Sequence, residues 1–168
     1  LENYHNYIDG NAGFCGDRSL YTGSGINNDT SQFSAYNRFL TQTGWNQNPK
    51  ASYKCMEADL YTVSGSEQGN KALTYPIGLI TLDEAVYAYG AMYNNSNSFL
   101  YTGNHYWTMT PLRAGGNYSY LAYLVSGSTP QTWFSASTSG VRPVINLCAD
   151  VTISSGDGTS SNPYTIAT

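Results

Sequence analysis

Charged side chains are scarce in this chain, and basic ones are the scarcest. Asp, Glu, Lys and Arg together make up 11% of the 168 residues, which is less than half of the roughly one quarter typical of soluble domains. The 7 Lys and Arg residues are scattered, and the net charge is −4. Because nucleic acids are bound by clustered cations, this balance argues against a nucleic-acid partner. Neutral polar groups must keep the chain in solution, which suits an extracellular surface.

Long apolar runs are missing as well. No apolar run reaches the roughly 18 residues of a membrane span, so we predict no membrane insertion of this chain. No secretory signal is recognisable, and the sequence opens at Leu1 rather than Met, as a mature or trimmed fragment would.

Cysteine is sparse, and its spacing excludes common metal sites. Cys15, Cys55 and Cys148 form no CxxC or zinc-finger pattern. A disulfide between Cys15 and Cys55 would close a loop of about 40 residues and contribute about 3–4 kcal/mol. The alternative is three buried thiols that act as small hydrophobic groups. We expect Cys148, at the end of a strand-like run, to pack in the core.

The residues that catalysis needs are also few. His5 and His105 lie far apart, and no Ser or Cys occupies a recognisable nucleophile turn. No glycine-rich phosphate loop precedes a helix. Residues 112–139 contain no Asp or Glu, which argues against a calcium-mediated sugar site there. The sequence therefore predicts a non-enzymatic protein without a metal or cofactor.

The last third of the chain carries the strongest positive signal. Two strand-like runs, residues 106–110 and 140–147, bracket a segment at 112–139 that is rich in Tyr, Trp, Ser, Gly and Asn. Such a composition is typical of recognition surfaces, because rigid aromatic rings give contact area at low entropy cost.

We predict that ligand contacts come from this segment. The candidates are Arg113, Asn117, Tyr118, Tyr120, Tyr123, Gln131, Trp133, Phe134, Ser135 and Ser137. Residues 117–125 are predicted to form a strand, and residues 131–135 the strand that returns beside it. Strand periodicity places Tyr118 and Tyr120 on one face and Tyr123 on the other. One of those two faces can instead belong to the core, and this alternative stays open for each aromatic residue.

Local patterns predict a mixture of helices and short strands. Thr81 and Glu84 form a capping box that starts a helix running to about residue 88, with Gly90 as its stop and Asp83 as a residue that favours the helix dipole. Residues 34–40 read equally as a helix or a strand. A hairpin around residues 156–158 is expected near the end. The fold class is α+β.

Several motifs in the same order resemble a large uncharacterised family of gut Firmicutes, related phages and metagenomes. They are FCGDRS (14–19), YPIGLITLDEA (75–85), YWTMTP (106–111), GVRPVINL (140–147), GDGT (156–159) and NPY (162–164). The family resembles a divergent branch of the C-type-lectin fold, which formylglycine-generating-enzyme-like domains share. The same fold carries the variable proteins of diversity-generating retroelements.

The resemblance implies a single C-type-lectin-like domain over residues 1–168, with core strands at 106–110 and 141–147. It implies a ligand-binding loop region at 112–139, diversified in the retroelement case. Formylglycine chemistry uses cysteines, and no cysteine pair lies close together in the C-terminal half. The expected partner is a protein or glycan, and the expected location is extracellular, on a cell or virion surface.

Two further interpretations remain open. The chain can be the exposed globular head of a pilin-like or surface-anchored structural protein. It can also be an oxidase or hydrolase on the same fold, which would require a metal with cysteine or carboxylate ligands.

Overall fold

The computed structural model of the protein combines a few helices with many strands. It describes residues 2–23, 31–41, 44–46, 49–55, 60–67, 69–89, 100, 103–115, 118–124, 131–159 and 161–167. The helical elements in these ranges are a 3₁₀ helix at Glu2–Tyr7, α1 at Ser34–Phe39 and α2 at Leu82–Tyr89. No helix in this part of the chain has the length and apolar character needed to cross a membrane.

The strands are short, and their pairings are antiparallel. They are β1 (Phe14–Cys15), β2 (Leu20–Thr22), β3 (Ser31–Phe33), β4 (Leu40–Thr41), β5 (Gly44–Trp45), β6 (Leu60–Tyr61), β7 (Gly78–Leu79), β8 (Tyr106–Gly115), β9 (Tyr118–Leu124), β10 (Gln131–Phe134), β11 (Pro143–Val144), β12 (Ile153–Ser155) and β13 (Thr165–Ile166). Small antiparallel sheets with few helices confirm the predicted α+β class.

A five-stranded sheet in the order β10-β9-β8-β3-β2 is the main scaffold. Its central strand, β8, pairs with β3 at Arg113 and Ala114 and with β9 along most of its length. The described residues also form four two-stranded sheets: β1-β6, β11-β7, β12-β13 and β4-β5. The predicted hairpin near the end is confirmed as β12-β13.

Strand β8 buries one face and leaves the other less covered. Its even-numbered residues are buried: Tyr106, Thr108, Thr110, Leu112 and Ala114. Alternation of this kind is expected where one face of a sheet packs on a core. Leu112 completes an apolar cluster with residues of both helices, namely Ala35, Phe39, Leu82 and Val86. The helices therefore cover the even face of β8.

Helix α2 begins as its sequence predicts. The Thr81 N–H donates to Glu84 Oε2 at 2.8 Å, and the Glu84 N–H donates to Thr81 Oγ1 at 3.1 Å. This reciprocal pair satisfies two N–H groups that the first turn leaves without helical partners. The Leu82 N–H donates to Thr110 Oγ1 at 2.8 Å, which fixes the start of the helix to β8. Gly90, the predicted stop, lies outside the described residues.

The undecided segment at residues 34–40 is mainly helical. Ala35 and Phe39, four residues apart, are both fully buried, so α1 presents one apolar face to β8. The helix ends at Phe39 because Leu40 is extended, with φ −117° and ψ 142°, and begins β4.

A buried ion network joins the two helices to the loop after β1. Arg38 of α1 donates from Nη1 to Asp17 Oδ2 at 2.8 Å and from Nη2 to Asp83 Oδ2 at 2.9 Å. The second oxygen of Asp83 accepts the Ser52 N–H at 2.6 Å. The sequence predicted that Asp83 interacts only with the dipole at the start of the helix. It does lie in the first turn, but it is buried because it binds Arg38 and Ser52.

The two carboxylates of this network differ in their proton affinity. Burial raises the pKa of Asp17, but hydrogen bonds from Ser19 and Arg38 outweigh burial and leave that pKa below its ordinary value. Burial raises the pKa of Asp83 more than Arg38 and Ser52 lower it, so its pKa lies above the ordinary value. The single guanidinium of Arg38 therefore does not offset the effect of burial on the pKa of Asp83, the more deeply buried carboxylate.

The candidate cysteine pair forms a disulfide. Cys15 and Cys55 are bonded, with Cα atoms 5.7 Å apart. The bond anchors the segment that carries Ser52 and Tyr53, and the Tyr53 ring stacks on Tyr87 of α2 with centroids 4.0 Å apart. Cys148 is a half-buried free thiol outside any strand, so the prediction that it packs in the core is wrong.

The predicted core strand at residues 141–147 is also wrong. Only Pro143–Val144 pairs as a strand, with β7, and Leu147 makes an isolated bridge to Ile8. Val141 is 68% exposed and Leu147 is 46% exposed. Proline lacks the N–H that a continuous ladder needs, so Pro143 limits the pairing of this apolar run.

We expect the two aspartates to change the acid stability in opposite directions. The lowered pKa of Asp17 gives stability that is present above about 3.8 and lost as the pH falls through the folded-state pKa. The raised pKa of Asp83 gives the folded state an extra affinity for protons, so stability is lost as the pH rises from about 3.8 through that pKa.

Asp17→Asn should therefore flatten the loss of unfolding free energy in acid, and Asp83→Asn should steepen it. Urea unfolding at several values from about pH 2 to about pH 7 measures both slopes. The exposed Asp150, changed to Asn, is the control for the loss of one negative charge outside the network. Equal slopes for the two network variants would contradict the assignment.

Candidate functional site

Most of the segment predicted as a ligand-binding loop region is sheet. Residues 112–115 continue β8, and β9 and β10 follow as its antiparallel neighbours. Leu112, at the start of the segment, is fully buried in the core cluster. Strands β9 and β10 confirm the strands predicted at residues 117–125 and 131–135, so much of the predicted ligand-binding loop region at residues 112–139 is sheet rather than loop.

The strand register divides the predicted contact residues into two groups. Tyr120 pairs with Arg113 on one side and with Phe134 on the other, and Tyr118 pairs with Gly115. Tyr123 pairs with Trp107 and with Gln131. Because the β9–β10 pairing is regular, Tyr120 and Tyr123 occupy positions of opposite parity, as strand periodicity predicts.

Register shifts in β8 separate these groups further. The pairing with β9 shifts between Trp107 and Pro111 and again between Pro111 and Arg113. As a result, Trp107 and Arg113 oppose β9 positions of different parity although they share the less buried face of β8. Arg113 is exposed at the far end of the strand.

Other candidates lie at the end of β10. Trp133 is 50% exposed, and its ring meets Phe134 edge-on with centroids 6.3 Å apart. Ser135 is exposed in the turn that follows, and the Ser137 N–H donates to the Phe134 oxygen at 2.9 Å. Asn117 lies outside the described residues. The structure defines the backbone register of Tyr118, Tyr120, Tyr123 and Gln131.

Trp133 forms one wall of a groove with a volume of about 270 Å³. The described residues that line it are His105, Trp107, Trp133, Thr138 and Ser139. The sequence identified Trp133 and missed the other four. His105, which was considered as one of two histidines far apart in the sequence, is exposed just before β8. Thr138 and Ser139 carried no local signal, since their place depends on a distant contact.

That contact is made by Gly140. The Gly140 N–H donates to the His105 oxygen at 3.0 Å, and the Trp107 N–H donates to the Gly140 oxygen at 2.9 Å. A Cβ atom at position 140 would lie 2.6 Å from the His105 oxygen. Glycine therefore permits the close approach that brings Thr138 and Ser139 beside the start of β8.

One groove hydroxyl has an unusual environment. Ser139 Oγ is buried and has no hydrogen-bond partner among the described residues. A buried hydroxyl in this state costs about 1–3 kcal/mol relative to one that is satisfied. Such groups in a folded protein are expected to have a reason, such as a bound water or ligand.

The groove brings aromatic rings and neutral polar groups together. Asp, Glu, Lys and Arg are absent from its described lining. Across the described part of the chain, no three His, Cys, Asp or Glu side chains lie close enough to hold a metal ion. The described lining therefore offers two indole rings, an imidazole and two hydroxyl groups.

No protein-family model matches the chain, and neither a curated protein nor a solved structure matches it significantly. The geometry of the sheet and groove is therefore the basis for a function.

Gly140→Ala should disturb the groove, because the new methyl group would collide with the His105 oxygen. We expect a loss of about 1–3 kcal/mol in unfolding free energy, as for other overpacked positions, and a changed near-ultraviolet circular dichroism from the groove tryptophans. Gly10→Ala is the matched control, since no atom lies within 4 Å of a Cβ at that position. If the two variants behave alike, Gly140 does not hold the groove wall.

Proposed function

We propose that the protein is a non-enzymatic ligand-binding domain that recognises a protein or glycan on a cell or virion surface. The carrying observation is the half-exposed Trp133 on the edge strand β10, next to a groove between β10 and the start of β8. Exposed tryptophan beside a concave surface is a frequent centre of binding energy.

The scaffold supports this proposal because the helices pack on one face of its central strand. Both helices pack on the even face of β8, and Leu112 joins them in the core. Binding residues on strands of a packed sheet keep their positions without a ligand, which lowers the entropy cost of binding. Arg113 adds an exposed cation that can pair with an acidic group or stack on a ring.

We further propose that the scaffold is a C-type-lectin-like domain related to retroelement variable proteins. The mixed α+β architecture with small antiparallel sheets is compatible with that fold, and the motif order resembles the family. In such a protein, Tyr118, Tyr120 and Tyr123 would belong to the diversified set. Their placement on one strand, β9, between β8 and β10, would present varied residues from a fixed sheet.

Binding can be tested with a biotinylated chain that is tetramerised on streptavidin. The tetramer is applied to a printed glycan array and to intact bacterial cells, with and without protease treatment. We expect retention on at least one surface, and a loss of about tenfold or more for Trp133→Ala and for Arg113→Ala, as hot-spot residues show.

Tyr21→Ala is the matched control for these variants. Tyr21 is 57% exposed and lies on β2, the opposite edge of the same sheet. The Tyr21→Ala variant should bind within about twofold of the unaltered chain. This control, Trp133→Ala and Arg113→Ala should all keep a similar Tm. The proposal fails if no surface retains the tetramer, or if the control loses as much binding as Trp133→Ala.

The diversified form of the proposal makes a separate prediction about the gene. Sequencing the locus from many cells should find substitutions confined to codons for about residues 112–139, at template adenines, beside a reverse transcriptase gene. An invariant locus without a template repeat would remove the retroelement relation and leave a binding protein of fixed specificity.

A further inference from the structure

We propose that the groove at Trp107 and Trp133 is a carbohydrate-binding subsite that holds a neutral sugar ring. The inference rests on the proposed binding function and names its ligand class. It assigns roles to His105, Thr138 and Ser139, which the sequence did not select as ligand contacts.

The lining chemistry narrows the class of ligand. The described lining residues carry no carboxylate, ammonium or guanidinium group, so a charged ligand finds no opposite charge there. A purely apolar ligand would cover the hydroxyls of Thr138 and Ser139 without offering them a hydrogen bond. A sugar ring has an apolar C–H face and a rim of hydroxyls, and it fits both kinds of group.

The two indoles suit the C–H face of a sugar. An aromatic ring has a negative face, which attracts the weakly positive hydrogens of aliphatic C–H bonds. Trp107 is half-buried on β8 and Trp133 is half-exposed on β10, with β9 between them. The groove lining therefore contains one half-buried and one half-exposed indole ring.

The hydroxyls supply the polar part of recognition. Ser139 Oγ lies buried in the groove wall and has no partner among the described residues. Rotation about its Cα–Cβ bond would let a sugar hydroxyl satisfy it. Thr138 is exposed beside it and can donate or accept a second hydrogen bond.

The size and rigidity of the groove set the expected affinity. Its volume of about 270 Å³ lies just below the range of pockets for drug-sized ligands, so it holds a terminal sugar rather than a long chain. Two backbone hydrogen bonds through Gly140 form its wall before any ligand arrives. For a single ring we expect a dissociation constant on the order of 1 mM.

The test uses a panel of neutral methyl glycosides of glucose, galactose, mannose, fucose, N-acetylglucosamine and N-acetylgalactosamine. Saturation-transfer NMR and tryptophan fluorescence report binding to the whole chain. At least one glycoside should bind, with transfer strongest at its C–H protons. Trp133→Ala should weaken that binding about tenfold or more, and Tyr21→Ala should leave it within about twofold.

Ser139→Ala separates a ligand role from a structural one. Because the buried hydroxyl has no partner among the described residues, its removal should not lower the unfolding free energy. The same change should weaken glycoside binding several-fold, and Thr138→Val should act in the same direction. A fall in stability with unchanged binding would contradict the assigned role of Ser139.

The subsite is overturned if no glycoside binds at tens of millimolar, or if the binding is unaffected by Trp133→Ala. Either result leaves the broader proposal standing if the tetramer is retained on protease-sensitive cell surfaces and released by Trp133→Ala. In that case the ligand is a protein. Loss of tetramer binding on every surface would instead remove the binding function itself.

Discussion

The contact of Arg38 with Asp17 and Asp83 is the constraint on which the arrangement of helices depends. One guanidinium joins α1, the first turn of α2 and the loop after β1, at distances of 2.8 and 2.9 Å. Removing a guanidinium and two carboxylates from water is costly, so the pairing must be kept once these groups are buried. The Ser52 N–H and the hydroxyl of Ser19 donate further hydrogen bonds to the two carboxylates. Helices held in this way cannot slide over the sheet without exposing an unpaired charge.

Strand β8 connects the helices to the candidate site. Its even-numbered residues face the core, where Leu112 packs with both helices and Thr110 accepts the Leu82 N–H. Its first odd-numbered residue, Trp107, lines the groove. Because successive side chains of a strand point to opposite faces, fixing one face fixes the other. The groove therefore takes its position from contacts on the opposite side of the sheet.

The scarcity of charge gives this surface its chemical character. With 11% charged residues, the chain presents aromatic and neutral polar groups where other soluble proteins present ions. Strand β10 is an edge strand, and edges of sheets readily pair with other chains. The segment at residues 137–140 returns from this edge to β8, where its backbone is hydrogen-bonded. The same return builds the groove wall, so one segment shapes the site and connects β10 to β8.

Local sequence by itself determined the elements whose signals lie within a few residues. The capping box at Thr81 and Glu84, strands β9 and β10, and the β12–β13 hairpin follow from neighbouring side chains and backbone groups. The tertiary structure decided the rest, because those features depend on partners far along the chain. The 141–147 run looked like core by composition, yet Pro143 limits its pairing and Val141 is exposed. The role of Asp83 in the ion network depends on Arg38, which lies on the other helix. The groove depends on the approach of Gly140 to His105, 35 residues earlier. Periodicity within one segment does not encode such contacts.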